Sequence, residues 1–140
     1  MKALGEFEVW FLTGSQDLYG EETLCQVAEN SKKIAAALDG CDAIPVRVVW
    51  KPVVTNAEAI LAACIEAGAT DKCVGVITWM HTFSPARMCI AGLQALAKPL
   101  VNRHTQFKRD RPWGEIALDA ISINQAAHGD REFAHIEARL

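Results

Sequence analysis

Two loops of the chain carry side chains suited to binding hydroxyl groups. TGSQDLYG (residues 13–20) follows one apolar run, and HTFSP (residues 81–85) follows another. The Gln16 amide can both donate and accept hydrogen bonds, which suits neutral hydroxyl groups. The rings of Tyr19 and Phe83 can cover the carbon skeleton of a sugar. These residue types predict a crevice for a neutral polyhydroxyl ligand, although a turn residue or a packed aromatic is the alternative for each one taken alone.

A third polar stretch, NQAAHGDREF, lies at residues 124–133. It brings an amide at Gln125 and an imidazole at His128 close together before a predicted helix. A histidine followed by glycine is, taken alone, more often a capping or turn residue. His81, in the second loop, is a further candidate acid, base or hydrogen-bond donor.

Other kinds of chemistry find less support in the sequence. The first loop lacks both the G-x-G-x-x-G spacing and the glycine-lysine pair of a phosphate-binding loop. Three histidines, His81, His104 and His128, come from separate loops with no carboxylate at ligand spacing, which disfavours a local metal site. The carboxylates form no evident acid–base pair. The residues alone therefore predict a binding crevice and no local catalytic group.

Composition narrows the class of protein. The 140 residues match one domain, 51% of them are apolar and 22% charged, and the formal net charge is −3. That charge gives no reason to expect nucleic acid or an anionic membrane as a partner. The opening MKALGEFEVWFL has acidic residues where a signal peptide is apolar, so we expect a cytoplasmic protein. Five cysteines without a C-x-x-C pair indicate reduced, structural thiols.

Apolar patterning predicts alternating strands and helices. The predicted strands are Phe7–Leu12, Ile44–Trp50, Cys73–Met80 and Leu100–Asn102. Predicted helices cover residues 21–38, residues from a Thr55–Glu58 capping box to Gly68, residues 84–97, and a last segment with Asp130 as its N-cap.

The apolar pattern also predicts which side chains of two helices face the core. The second helix is expected to turn Ile65 inward, and the last to turn Phe133, Ile136 and Leu140 inward. Residues 116–127 fit either a strand or a helix.

This alternation predicts one α/β domain over residues 1–140, a doubly wound, flavodoxin- or Rossmann-like parallel sheet with helices on both faces. In the strand order 2-1-3-4, the order reverses between the first and third strands. Ligands of such sheets bind at that reversal, beyond the carboxyl ends of the strands. The loops there are TGSQDLYG and HTFSP, the same two loops that carry the candidate binding groups.

Four stretches in this order and spacing resemble the amino-terminal domain of bacterial L-arabinose isomerase: FEVWFLTGSQDLYGEETL, WMHTFSPARM, HTQF and NQAAHGDREF. The similarity covers essentially the whole chain. It implies an aldose–ketose isomerase that converts L-arabinose into L-ribulose through an ene-diol, often accepts D-galactose, and uses Mn²⁺. It further implies that two glutamates and two histidines from later in the full-length protein hold the metal. No catalytic residue and no metal ligand are then expected within residues 1–140.

The resemblance also implies that this region reaches the active site of a neighbouring subunit in a homohexamer. The positions that match the family's sugar-lining residues are Gln16, Leu18, Tyr19, Phe83, Gln125 and His128. The sequence departs from the family pattern at Cys89, Lys108, Ser122 and His135, the last two beside the His128 motif. We expect a fragment that lacks later domains and is inactive alone; the alternative is a stand-alone, non-catalytic sugar-binding or assembly module.

Overall fold

The computed structural model describes residues 2–82, 85–110, 113–115, 122–124 and 126–140. Its four parallel strands form one sheet in the order β2-β1-β3-β4. The strands are β1 (Glu8–Gly14), β2 (Arg47–Trp50), β3 (Cys73–Met80) and β4 (Leu100–Asn102). The doubly wound α/β class and the predicted strand order are both confirmed.

Four α-helices connect or follow these strands in the described part of the chain. They are α1 (Gly20–Asp39), α2 (Ala57–Ala69), α3 (Ile90–Ala95) and α4 (Ala126–Glu137), with short 3₁₀ helices at Asp17–Tyr19, Ala86–Cys89 and Trp113–Glu115. Within the described ranges, none of these helices combines the length and apolar character that crossing a membrane requires.

Alternate side chains of the central strands build a core on each face of the sheet. On one face, Phe11 of β1 and Trp79 of β3 pack with Ile34 of α1. On the other face, Met80 packs with Phe133 of α4 and with residues of α2. Because successive side chains of a strand point to opposite faces, each strand end presents groups to both layers.

The start of α2 differs from the prediction by one residue. Asn56, and not Thr55, is the N-cap, because its Oδ1 accepts a hydrogen bond from the Ala59 backbone N–H at 2.9 Å. Asparagine and threonine cap helices by the same mechanism, so the pattern alone did not distinguish the two neighbours. Ile65, predicted to face inward, is 53% exposed.

The last helix begins earlier than predicted. Because α4 starts at Ala126, Asp130 lies inside the helix and is not its N-cap. Phe133 is buried as predicted, whereas Leu140 lies beyond the helix end and is exposed. Of the segment 116–127, for which strand and helix were both predicted, Ala126 and Ala127 belong to α4, and residues 116–121 and 125 lie outside the described part of the chain.

The five cysteines are free thiols, as predicted, and Cys64, Cys73 and Cys89 are buried. Burial raises the pKa of the Cys89 thiol to about 12, so this side chain stays neutral and acts as a small apolar group.

Candidate functional site

The two polar loops meet at the point where the strand order reverses. Ser15, directly after β1, and Thr82, two residues after β3, are both fully buried. Their hydroxyl oxygens Oγ and Oγ1 lie 2.9 Å apart in a side-chain hydrogen bond. The carboxyl ends of β1 and β3 therefore form one connected edge, which is where ligands of doubly wound sheets bind.

Gly14 leaves room for side chains that pack beside these two strand ends. A Cβ atom added at Gly14 would lie 2.6 Å from Sδ of Met80 and 3.1 Å from Cγ of Pro85. The following residue is fixed by its backbone, since the Ser15 N–H donates to the Val54 carbonyl oxygen at 3.0 Å. The first loop thus leaves the sheet from a tightly held point.

Beyond that point the first loop turns outward. Gln16 and Tyr19 are half-buried, and Leu18 between them is 72% exposed. Gly20 then adopts a positive φ of 78°, a conformation that favours glycine, and α1 begins. An amide, a phenol and an exposed apolar side chain are therefore presented together on one short 3₁₀ turn.

His81 is not the accessible acid or base that the sequence suggested. It is 2% exposed, and its ring stacks on the Trp79 indole with the centroids 4.3 Å apart. The Asn30 side-chain nitrogen lies 2.9 Å from His81 Nε2, a contact that suits a neutral ring accepting a hydrogen bond. Burial lowers the pKa of His81 from 6.5 to about 4, so the ring is neutral near pH 7. His81 holds the strand end in place.

The partner of His81 was missed, although the sequence contained a signal for it. Asn30 and Ser31 lie on the buried stripe of α1 with Val27 and Ile34, at helical spacing. Polar residues at core positions require hydrogen-bond partners. Ser31 Oγ has one, because it accepts a bond from Trp50 Nε1 at 2.6 Å.

Asp130 of α4 continues the hydrogen-bonding ladder of β3 where β4 has ended. The Val76 N–H donates to the Pro99 carbonyl oxygen, and the Thr78 carbonyl oxygen accepts from the Arg103 N–H, so alternate residues of β3 face β4. Met80 is the next in this series, but the paired part of β4 stops at Asn102. The Met80 N–H donates instead to Oδ1 of Asp130 at 3.2 Å.

The second carboxylate oxygen of Asp130 faces the loop after β4. Oδ2 lies 3.7 Å from Nδ1 of His104 and has no hydrogen-bond partner within the described residues. Asp130 is fully buried, and this burial raises the pKa of its carboxyl group to about 7, against lowering effects of the Met80 N–H and the Arg103 charge. One side chain of α4 thus touches the end of β3 and approaches the loop that follows β4.

The structure describes four of the six residues that were predicted to line the sugar. Gln16, Leu18 and Tyr19 lie together in the first loop. His128 is exposed on α4, two residues before Asp130. Phe83 and Gln125 lie outside the described residues, so their place in the site stays a prediction.

Two other features of the described chain do not add to this site. A groove of about 260 Å³ runs between α1 and the loop after β4, but its walls are mainly apolar with cations at Lys33 and Arg103. Such a lining lacks the neutral amide and hydroxyl groups that recognise a sugar. Among the described residues, no three His, Cys, Asp or Glu side chains are grouped to hold a metal ion.

Comparison with known proteins identifies relatives along nearly the whole chain. A family model described as the L-arabinose isomerase N-terminal domain matches residues 3–140. The L-arabinose isomerase of Koribacter versatilis is 57% identical over 98% of this chain, and that of Herpetosiphon aurantiacus is 56% identical over all of it. The relative from a Nocardioides species is 58% identical over 96% of the chain. The chain spans about a quarter of these relatives, 27% of the length of the first.

Proposed function

The chain belongs to the L-arabinose isomerase N-terminal domain family, and from this membership we propose that it is the first domain of an enzyme that converts L-arabinose into L-ribulose. The observation that carries the proposal, beyond the family match, is the hydrogen bond between Ser15 and Thr82. This contact joins two polar loops at the edge of the sheet where a ligand is expected.

The role proposed for this domain is to bind and orient the sugar. Gln16 would exchange hydrogen bonds with hydroxyl groups, and the exposed Leu18 and the Tyr19 ring would cover the carbon chain. His128, exposed near the start of α4, would contribute an imidazole from the helix whose Asp130 bonds to the end of β3. Phe83 and Gln125 are proposed as further members of this lining from the family motifs alone.

The chemical step would depend on protein outside this chain. We propose Mn²⁺ as the cofactor of the longer protein, since this ion would act as a Lewis acid that polarises the sugar carbonyl. The described residues do not fit that ion, because they contain no cluster of candidate ligands. The function that we propose for residues 1–140 is to bind and orient the sugar.

The exposed apolar side chains of the chain support assembly with further protein. Leu18 is 72% exposed and Trp113 is 78% exposed, so each offers apolar surface to a neighbouring subunit. We propose that they are covered in a cytoplasmic homohexamer in which this domain completes the active site of a neighbouring subunit. D-Galactose is proposed as a second substrate.

Activity of the full-length protein tests the proposal. With Mn²⁺, it should form L-ribulose from L-arabinose, whereas residues 1–140 alone should form none. A Q16A variant should raise KM about tenfold, the loss expected for one or two hydrogen bonds to substrate. Q94A, which removes an exposed glutamine of α3, is the matched control and should leave KM unchanged.

Two results would contradict the proposed function. One is a folded, Mn²⁺-loaded full-length protein that converts no L-arabinose. The other is ribulose formation by residues 1–140 alone, because the carbonyl-polarising metal site would then have to lie within this chain. Sugar binding by the chain without turnover of any aldose by the longer protein would instead indicate a non-catalytic binding module.

A further inference from the structure

The carboxylate of Asp130 lies where three elements come together: α4, the end of β3 and the loop after β4. It belongs to α4, which carries His128 two residues earlier. Its Oδ1 accepts the Met80 N–H at 3.2 Å, and Met80 is the last residue of β3, directly before the loop of His81 and Thr82. Its Oδ2 faces Nδ1 of His104, in the loop after β4, at 3.7 Å.

The position of this carboxylate is unusual for a purely packing residue. Asp130 is fully buried, and Phe133 on the same helix packs into an apolar core cluster. An apolar residue would fill such a place at less cost, since a buried carboxyl group loses its hydration. What the aspartate adds is a directional bond to one backbone N–H, which fixes how far the start of α4 stands from the end of β3.

We propose that Asp130 is a positioning residue of the sugar site, which holds the start of α4 against the end of β3 so that His128 and the loop after β3 face the same ligand. The inference rests on the proposed function, and it assigns Asp130 no contact with the sugar. Removal of the carboxylate should therefore weaken sugar binding through displacement of His128.

Steady-state kinetics of the full-length protein with L-arabinose provide the first test. D130A removes the acceptor of the Met80 N–H, and we expect KM to rise about tenfold while kcat changes less than threefold. D130N keeps an oxygen for the Met80 N–H and removes the charge facing His104, so its KM should lie between those of D130A and the wild type.

A variant that destabilises α4 but retains Asp130 distinguishes a positioning role from a general effect on stability. F133L removes packing volume from α4 three residues further on, where Phe133 is 1% exposed, and leaves the carboxylate in place. If Asp130 positions His128, F133L should lower the unfolding temperature yet keep KM within twofold of the wild type. Equal KM values for D130A, F133L and the wild type, all measured well below unfolding, would overturn the proposal.

A measurement on residues 1–140 keeps the inference independent of enzymatic activity. In ¹H–¹⁵N NMR spectra, D130A, which removes the acceptor of the Met80 N–H, should shift the backbone signal of Met80 and the imidazole signals of His128 and His104, and F133L should leave the His104 signals unchanged. A wild-type full-length protein without activity would refute the proposed function, whereas D130A spectra with unshifted His128 imidazole signals would refute the role of Asp130.

Discussion

Two sets of residues lie at the same edge of the sheet: the side chains of one set face outward, and those of the other are buried. The outward set, Gln16, Leu18 and Tyr19, is half-buried or exposed on a short turn. The inward set, Ser15, Thr82, His81, Asn30 and Asp130, is buried and bonded to the ends of β1 and β3.

This difference separates contact with a ligand from support of the site. Buried hydrogen-bonded groups rigidify a structure and are costly to remove, whereas exposed groups contribute little to stability. Substitutions in the inward set should therefore act first on the free energy of unfolding. Substitutions in the outward set should act on sugar affinity and leave stability almost unchanged.

The largest effect is expected for H81A, in the inward set. The substitution removes the ring stacked on Trp79, opens a cavity, and leaves the Asn30 amide buried without its partner. We expect the free energy of unfolding of residues 1–140 to fall by about 3–4 kcal/mol, measured by urea denaturation at pH 7. H135A, at an exposed histidine of α4, should cost less than about 0.5 kcal/mol. Similar losses in the two variants would contradict the division into sets.

Acidification should change the free energy of unfolding through two buried groups, His81 and Asp130, which act in opposite directions. The pKa of His81 is lowered by burial from 6.5 to about 4, so its contribution to stability is present above pH 6.5 and is lost as the pH falls towards 4. The pKa of Asp130 is raised by burial from 3.8 to about 7, so its contribution grows as the pH falls from 7 to 3.8. The two effects partly cancel in the wild type.

The D130N variant breaks that cancellation. Its free energy of unfolding should fall by about 3 kcal/mol more than that of the wild type between pH 7 and pH 4, because only the His81 effect remains. Denaturant titrations at pH 7, 5.5 and 4 measure the difference. If the free energy of unfolding changed with pH to the same extent in D130N and the wild type, the burial of Asp130 would not raise the pKa of its carboxyl group.

G14A should have an intermediate effect, because its added methyl group collides with side chains that pack against the end of β1. The added methyl group meets Sδ of Met80 and Cγ of Pro85, and we expect a loss of about 2 kcal/mol in the free energy of unfolding. The matched control is G114A, whose added methyl group has no neighbour within 4 Å. If G14A were as stable as G114A, the close approach at Gly14 would not constrain the site.

The smallest change in stability is expected for L18S, in the outward set. Leu18 is 72% exposed, so its removal should change the free energy of unfolding by less than about 0.5 kcal/mol. In the full-length protein the same variant should raise KM for L-arabinose severalfold, since Leu18 is proposed to cover the carbon chain of the sugar. I90S, at a large apolar residue of α3 that is 37% exposed, is the control and should leave KM unchanged.

The sequence predicted the sheet well because buried parallel strands leave a clear pattern. CVGVITWM is apolar almost throughout, and β3 covers the predicted residues Cys73–Met80. The strand order then placed the loops after β1 and β3 side by side, which the contact between Ser15 and Thr82 confirms. Outward residues such as Gln16 could be proposed as ligand contacts from the sequence, because a polar loop directly after a predicted strand is visible in a short stretch of sequence.

The inward set could not be predicted in the same way, since its members are distant in sequence. Asp130 bonds to Met80 across 50 residues, and the intervening segment after β4 has no apolar period that would fix where α4 lies. His81 looked like an exposed loop residue because nothing local shows that Trp79 and Asn30 enclose it. The roles of Asp130 and His81 therefore depend on contacts with residues that are distant in sequence.

A crystal structure of the full-length protein with L-arabitol, which lacks the reactive carbonyl, tests the central claim most directly. The account predicts that Gln16, Tyr19 and His128 of one domain contact the same bound molecule, with the Met80–Asp130 hydrogen bond intact behind them. L-Arabitol bound in an active site that none of these three side chains touches would contradict it.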